Sequence, residues 1–161
     1  MKVFLINFLG SEILLILFFL GLIIPALLYL NTIHKTLDEV RDEYRLIPSR
    51  SPMLILVPIV GNFMLFLVVS KLSQSLELEF EDRGIATDGK DFGKRVGLIM
   101  STASLLVLLT LIMGFSGLSI VVLLLPWIRI LVLVGLVCWI IHWTKVSAYR
   151  ETLLANPVKL D

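Results

Sequence analysis

Residues Val96 to Thr144 contain a single charged side chain, Arg129, in a run of 49 residues. A helix crosses the ~30 Å hydrocarbon core of a bilayer in about 20 residues, so this run is long enough for two crossings and too long for one. A soluble domain has no use for so long an uninterrupted apolar stretch. The chain is therefore expected to lie in a membrane.

Composition supports a membrane domain and excludes some partners. Hydrophobic residues make up 58% of the 161 residues and charged residues only 17%, whereas about 25% is typical of soluble domains. This length leaves room for four helices and modest loops, so a single transmembrane domain over residues 1–161 is expected. The net charge of +1 argues against a nucleic-acid partner, because phosphate binding needs a clustered excess of Lys and Arg.

Four apolar segments predict an all-α fold: an integral membrane four-helix bundle with amphipathic helical extensions outside the bilayer. The expected spans are about 12–32, 53–71, 96–117 and 127–145. A proline within the first segment, Pro25, predicts a kink in that helix, which membrane helices tolerate.

The second segment has an irregular centre, formed by Pro58, Gly61 and Asn62. An asparagine in hydrocarbon is expected to hydrogen-bond to a neighbouring helix, an interaction worth about 1 kcal/mol or less. Helix packing is the preferred interpretation of Asn62, and the lining of a polar path is the alternative.

Two breaks compete for the turn in the long apolar run: Gly114 to Gly117, and the neighbourhood of Pro126. If the last helix begins at Leu118, Arg129 lies about 16 Å along it, near the bilayer centre. There a charge is costly and usually marks function. The second break is favoured, because it places Arg129 in the first turn, where it reaches the headgroups beside an interfacial Trp127.

Orientation follows from the positive residues. With four crossings, the N-terminal end, the middle loop and the C-terminal tail share one side and carry nine Lys and Arg residues, against four in the first loop. The positive-inside rule then places both termini in the cytoplasm, in a multi-pass protein of the cell (inner) membrane.

The polar loops also carry helical patterns. An apolar stripe at Ile33, Leu37, Val40 and Tyr44 predicts that the first helix extends beyond the bilayer. A second stripe extends the second helix to about Arg83, after which Gly84 suits a left-handed cap; its residues are Leu72, Leu76 and Phe80. Asp91 is expected to cap the third helix.

Interfacial anchors are predicted near the membrane ends of the last two helices. Trp139 and Trp143, at i and i+4, read as part of an aromatic belt, and Lys94 and Arg95 as headgroup contacts. No catalytic residue, metal site or cofactor site is predicted. Single histidines without a nearby second ligand are weak metal signals.

Several segments together resemble a family of small, uncharacterised multi-pass bacterial membrane proteins of the four-span, domain-of-unknown-function type. They are Asn31-Thr32 with the amphipathic helix, Ile47-Pro48, LVPIVGN, VVSKLSQSLELEFEDRG, DFGKRVG and LVCWIIHWTKVSAY. The resemblance covers most of Asn31 to Leu153, and the chain departs from it between about Met100 and Arg129. The resemblance implies the four-span fold and adds nothing about activity.

The resulting hypothesis is a non-enzymatic membrane protein that acts through helix packing and partner binding, as an accessory or assembly subunit or a homo-oligomer. Its partners would be the lipid bilayer and either a membrane protein or a second copy. The alternative is a small oligomeric channel or transporter. A lipid-acting enzyme ranks third, because Glu12, Arg129 and His142 are the only titratable candidates at membrane depth.

Overall fold

A computed structural model describes residues 2–57, 59–87, 89–115 and 120–157, with the backbone alone at 2–19, 22, 115 and 120–125. Over these residues the fold is all-helical, as predicted. Four α-helices follow one another: α1 (Lys2–Glu39), α2 (Val60–Asp82), α3 (Lys94–Phe115) and α4 (Ile120–Ala155). A short 3-10 helix, Ser51–Leu56, precedes α2.

The chain divides into two compact units, Met1–Asn31 and Thr32–Asp161. The first consists of the earlier part of α1, a helix that contains Pro25. The first predicted span, about 12–32, falls within this helix, but most of its side chains lie outside the described residues. The second unit carries the rest of the fold.

In the second unit, α3 and α4 form an antiparallel hairpin, and both are long and apolar enough to cross a membrane. The qualifying segments are Lys94–Gly114 and Pro126–Ala155. Close approach is possible because small residues meet in the middle: a Cβ added at Gly135 would lie 3.6 Å from that of Ala103. The sequence predicted four spans. Among the described residues, two helices are long and apolar enough to be candidate spans.

The last helix begins earlier than predicted. The structure starts α4 at Ile120 and includes Pro126 within it, so the favoured start near Trp127 is wrong. Proline inside a helix removes one hydrogen bond and crowds the preceding turn, yet α4 continues through Pro126. Arg129 therefore lies nine residues into the helix instead of in its first turn.

The second predicted span, 53–71, is not one helix. Its first part is the 3-10 helix, and the chain then turns at Ile59, which has φ of 65°, before α2 begins at Val60. The irregularity noted in the sequence is thus a change of direction, which brings a close backbone contact. A Cβ at Gly61 would lie 2.7 Å from the carbonyl carbon of Ile55, so only glycine fits there.

The first and middle loops lie at the same end of the second unit, contrary to the predicted topology. The backbone N–H and Nε of Arg41, just after α1, donate to Glu79 near the end of α2, each at 3.0 Å. Helices α1 and α2 therefore both end at this point. A four-span topology with alternating directions would place these two residues on opposite faces of the membrane.

The core lies where α2 packs against the other elements of the second unit. Its apolar stripe is completely buried, and Phe80 contacts Phe92 and Tyr149 with ring centroids 5.2 and 5.9 Å away. Gly84 has φ of 66°, and the N–H of Ile85 donates to the carbonyl of Phe80 at 2.9 Å, which is the Schellman cap expected of this glycine.

The extension predicted after the first helix is shorter than its apolar stripe suggested. Ile33, Leu37 and Val40 are buried, but α1 ends at Glu39 and Tyr44 lies beyond it in a turn. The helix stops because the N–H of Arg41 bonds to the Glu79 carboxylate and not to a carbonyl of the preceding turn.

We expect Gly97→Ala to lower the free energy of unfolding by about 1–3 kcal/mol, the usual cost of overpacking. A Cβ at this position would lie 2.7 Å from Cδ2 of His142 and would also collide with Val69. Thermal unfolding in detergent, followed by tryptophan fluorescence, measures the change.

Gly135→Ala is the matched control, because its added Cβ makes only an ordinary contact at 3.6 Å and alanine favours the helix by about 1 kcal/mol. Equal destabilisation by the two substitutions would contradict the close packing at residue 97.

Candidate functional site

Five polar residues from two separate stretches meet where α2 ends. Arg41 and Tyr44 follow α1, whereas Glu79, Asp82 and Arg83 occupy the last turn and C-cap of α2. We call this group the helix-end cluster. Glu79 lies at its centre, and its side chain has 0% exposure.

The Glu79 carboxylate is compensated by three donors. The backbone N–H of Arg41 donates to Oε2, and the Nε atoms of Arg41 and Arg83 donate to Oε1 at 3.0 and 2.7 Å. Burying a carboxylate costs several kcal/mol unless charge and hydrogen bonds are both satisfied. Here a single acid holds two guanidinium groups in fixed positions.

Arg83 connects the ends of three helices. Its Nη1 donates to the carbonyl oxygens of Leu153 and Asn156 at 2.9 and 2.7 Å, and its Nη2 to that of Glu39 at 3.1 Å. The last carbonyls of a helix have no partner within it, and the negative end of the helix dipole favours a cation there. One guanidinium therefore bonds to backbone carbonyls at the ends of α4 and α1. The residue that carries it is the C-cap of α2, whose last carbonyls accept from the backbone N–H groups of Arg83, Gly84 and Ile85.

The outer layer of the cluster is more exposed. Asp82 accepts hydrogen bonds from Nη2 of Arg41 and, at 2.8 Å, from the Tyr44 hydroxyl. These bonds, first from Arg41 and then from Tyr44, hold the pKa of Asp82 below its ordinary value. The bond to Asp82 in turn raises the pKa of Arg41, so both groups are charged at neutral pH.

An open groove of about 460 Å³ lies beside the cluster. Its charged lining balances Arg41, Arg45 and Arg83 against three carboxylates, Asp38, Glu39 and Asp42. Arg45 bonds to Asp42 and to the carbonyl of Val40, while its buried Nε has no hydrogen-bond partner. The three guanidinium groups and three carboxylates that line the groove therefore balance in formal charge.

The structure brings Asn62 into contact with another helix. Its Oδ1 accepts a hydrogen bond of 2.7 Å from the hydroxyl of Ser104 on α3, the interhelical bond that the sequence predicts for it. Its predicted neighbour Gly61 supports the turn before α2, and Pro58 lies outside the described residues.

The tryptophans and the arginine predicted to lie at the membrane interface occupy two separate parts of α4. Trp139 and Trp143 stack with centroids 5.7 Å apart, and Nε1 of Trp143 donates to the Thr32 hydroxyl at 3.0 Å. Arg129 and Trp127 are exposed along α4, within the helix and not at its start.

Two further predicted anchors and the capping residue lie together at the start of α3. Lys94 and Arg95 are exposed in its first turn. Asp91 precedes them, accepts a hydrogen bond from the Gly93 N–H at 3.2 Å and pairs with Lys145 of α4 at 3.0 Å.

Sequence reasoning missed the central pair of the cluster, although a signal existed. Glu79 and Arg83 follow Leu72 and Leu76 at helical spacing, so all four share one face of α2. Opposite charges four residues apart on an apolar stripe indicate a buried pair. The partners from α1 and α4 could not be identified in this way.

No protein-family model, curated protein or solved structure matches this chain. Among the residues that the structure describes, no three His, Cys, Asp or Glu side chains are grouped so that they could hold a metal ion.

We expect Glu79→Gln to lower the free energy of unfolding by about 3 kcal/mol or more, because it leaves two arginines without their buried counter-charge. Thermal unfolding in detergent measures the loss. Asp42→Asn is the control: that carboxylate is 93% exposed and pairs with Arg45, so its loss should cost under about 1 kcal/mol. Similar losses for both would disprove the central role of Glu79.

Stability should also fall in acid. Because the folded pKa of Asp82 lies below its ordinary value of 3.8, its contribution is complete above that value and is lost as the pH falls through the folded pKa. Asp82→Asn should therefore flatten the decline in stability measured between about pH 5 and pH 2. An unchanged slope would show that the Arg41 and Tyr44 bonds do not depend on the charge.

Proposed function

We propose that this chain is a non-enzymatic integral membrane protein in which the α3–α4 hairpin crosses the bilayer, and that it acts through helix packing and partner binding. The observation that carries the proposal is the exposure of two long apolar helices. In their most apolar stretches only 22% and 11% of the residues are buried. The core helix of a soluble protein would be mostly buried, and large exposed apolar patches mark membrane or partner contacts.

The position of the cluster supports an orientation. Because the first and middle loops meet at the helix-end cluster, the Lys and Arg residues from Lys35 to Arg50 and from Lys71 to Arg95 belong to the same end of the second unit. The segment that joins α3 to α4 has no charged residue from Gly114 to Leu125. The positive-inside rule then favours a cytoplasmic helix-end cluster.

The charged residues of the helix-end cluster hold helix ends together. This structural role supports a non-catalytic function. Glu79 and Arg83 use their polar atoms to close helix ends. The groove beside them remains for a protein partner, either a foreign membrane protein for which this chain is an accessory subunit or a second copy.

A channel or transporter is less well supported. It would need a polar path, and the Asn62–Ser104 bond is the natural starting point. The cavity of about 260 Å³ that Ser104 lines is otherwise apolar; its other lining residues are Leu65, Met100, Ala103, Val107, Leu131, Val132, Gly135 and Leu136.

The test has two steps. We expect the protein to stay in the pellet when membranes are washed with alkaline carbonate, and its release would overturn the proposed membrane insertion. Gentle detergent extraction, followed by native mass spectrometry, should then yield a stoichiometric complex with a foreign chain or a second copy. A strict monomer would contradict action through partner binding.

A further inference from the structure

We propose that residues 51–70 form a re-entrant hairpin, which enters the leaflet on the side of the helix-end cluster, turns near the bilayer centre and returns to the same side. The outer face of this hairpin would contact lipid acyl chains. This inference rests on the proposed membrane insertion, and it replaces the second crossing expected from the sequence.

Both ends of the hairpin are fixed near the helix-end cluster. The N–H of Leu46 donates to the hydroxyl of Ser75 in the second half of α2 at 3.0 Å. The carbonyl of Ser49 lies 2.8 Å from Nδ1 of His34, five residues before the end of α1. The chain thus enters the hairpin alongside the segment by which α2 leaves it.

Three backbone N–H groups at the hairpin tip have carbonyl partners within the hairpin. The N–H groups of Val57, Gly61 and Asn62 donate to Leu54, Val57 and Ile59 at 3.1, 2.7 and 3.1 Å. Backbone groups at membrane depth need such internal partners, because hydrocarbon offers none. Pro52, in the first arm, further reduces the number of donors, since proline has no N–H.

Contacts with α3 give the depth of the hairpin. Asn62, near the tip, bonds to Ser104, which lies eight residues, or about 12 Å, after the start of the apolar run at Val96. The α2 segment from Val60 to Lys71 spans about 16 Å by the same measure. Both lengths are about half of the ~30 Å hydrocarbon core.

The outward surface of the hairpin fits hydrocarbon. Residues 51–70 contain no charge, and Arg50 and Lys71 bound them on the side of the headgroups. Large apolar side chains between 40% and 61% exposed cover the hairpin on both of its arms; they are Met53, Leu54, Leu56, Val57, Ile59, Val60, Phe63 and Leu67. A soluble partner would leave this surface in contact with water whenever it dissociated, whereas lipid covers it permanently.

Cysteine accessibility in native membranes tests the path of the chain. In a Cys138→Ser background, Arg50→Cys and Glu77→Cys are treated with a membrane-impermeant maleimide in right-side-out and inside-out vesicles. A third variant, Glu151→Cys near the end of α4, is the reference for the side of the membrane on which the helix-end cluster lies. All three positions are exposed in the structure. We expect all three to label from one face only. Labelling of Arg50→Cys from the opposite face would establish a crossing and overturn the proposal.

A spin label at Phe63→Cys tests the occupant of the surface. Contact with acyl chains predicts frequent collisions with oxygen and few with a water-soluble nickel chelate, as at the reference Leu133→Cys on α4. Low accessibility to both reagents would place a protein, such as a second copy, on the hairpin and overturn the lipid contact. Nickel access at Leu133→Cys itself would instead refute membrane insertion of the α3–α4 hairpin.

Discussion

The bonds that Glu79 and Arg83 make to the ends of other helices determine how the second unit is connected. Because Arg83 bonds to the last carbonyls of α1 and α4 while it caps α2, the three helices end at one point. Consecutive helices that end together cannot be joined by a tight turn. The chain between them must run back along α2: Leu46 bonds to Ser75, and Ile55 lies against Gly61. The 3-10 helix and the reversal at Ile59 follow from this requirement.

The helix-end cluster stabilises the fold mainly because it supplies hydrogen-bond donors to helix-end carbonyls, and less through attraction between charges. The ends of α1 and α4 present carbonyl groups to which the Arg83 guanidinium donates, and the last carbonyls of a helix lack partners within it. A planar guanidinium offers five N–H groups in fixed directions, which lysine cannot do. Glu79 then fixes the orientation of the guanidinium and balances its charge. The Glu79–Arg83 pair therefore fixes the positions of the helix ends. Its net contribution to the free energy of unfolding is small compared with the loss expected when one partner is removed.

The sequence predicted local features well and long-range ones poorly. The helical stripe from Leu72 to Phe80, the cap at Gly84 and the bond from Asn62 to a neighbouring helix all depend on residues a few positions apart or on one polar group in an apolar setting. The reversal at Ile59 and the shared side of the two loops depend on the Arg41–Glu79 contact, which joins residues 38 positions apart. Apolar length alone could not distinguish a crossing from a reversal in 53–71, and Pro126 looked like a helix start although α4 includes it.

The partners of Arg83 are synthesised at different times. Residues 39–41 and 79–83 emerge from the ribosome long before Leu153 and Asn156, which accept two of the Arg83 hydrogen bonds. Until α4 has been made, Nη1 of Arg83 lacks these two carbonyl partners. The polar end of the second unit therefore acquires its full set of hydrogen bonds only after α4, the last helix of the chain that the structure describes, has been made.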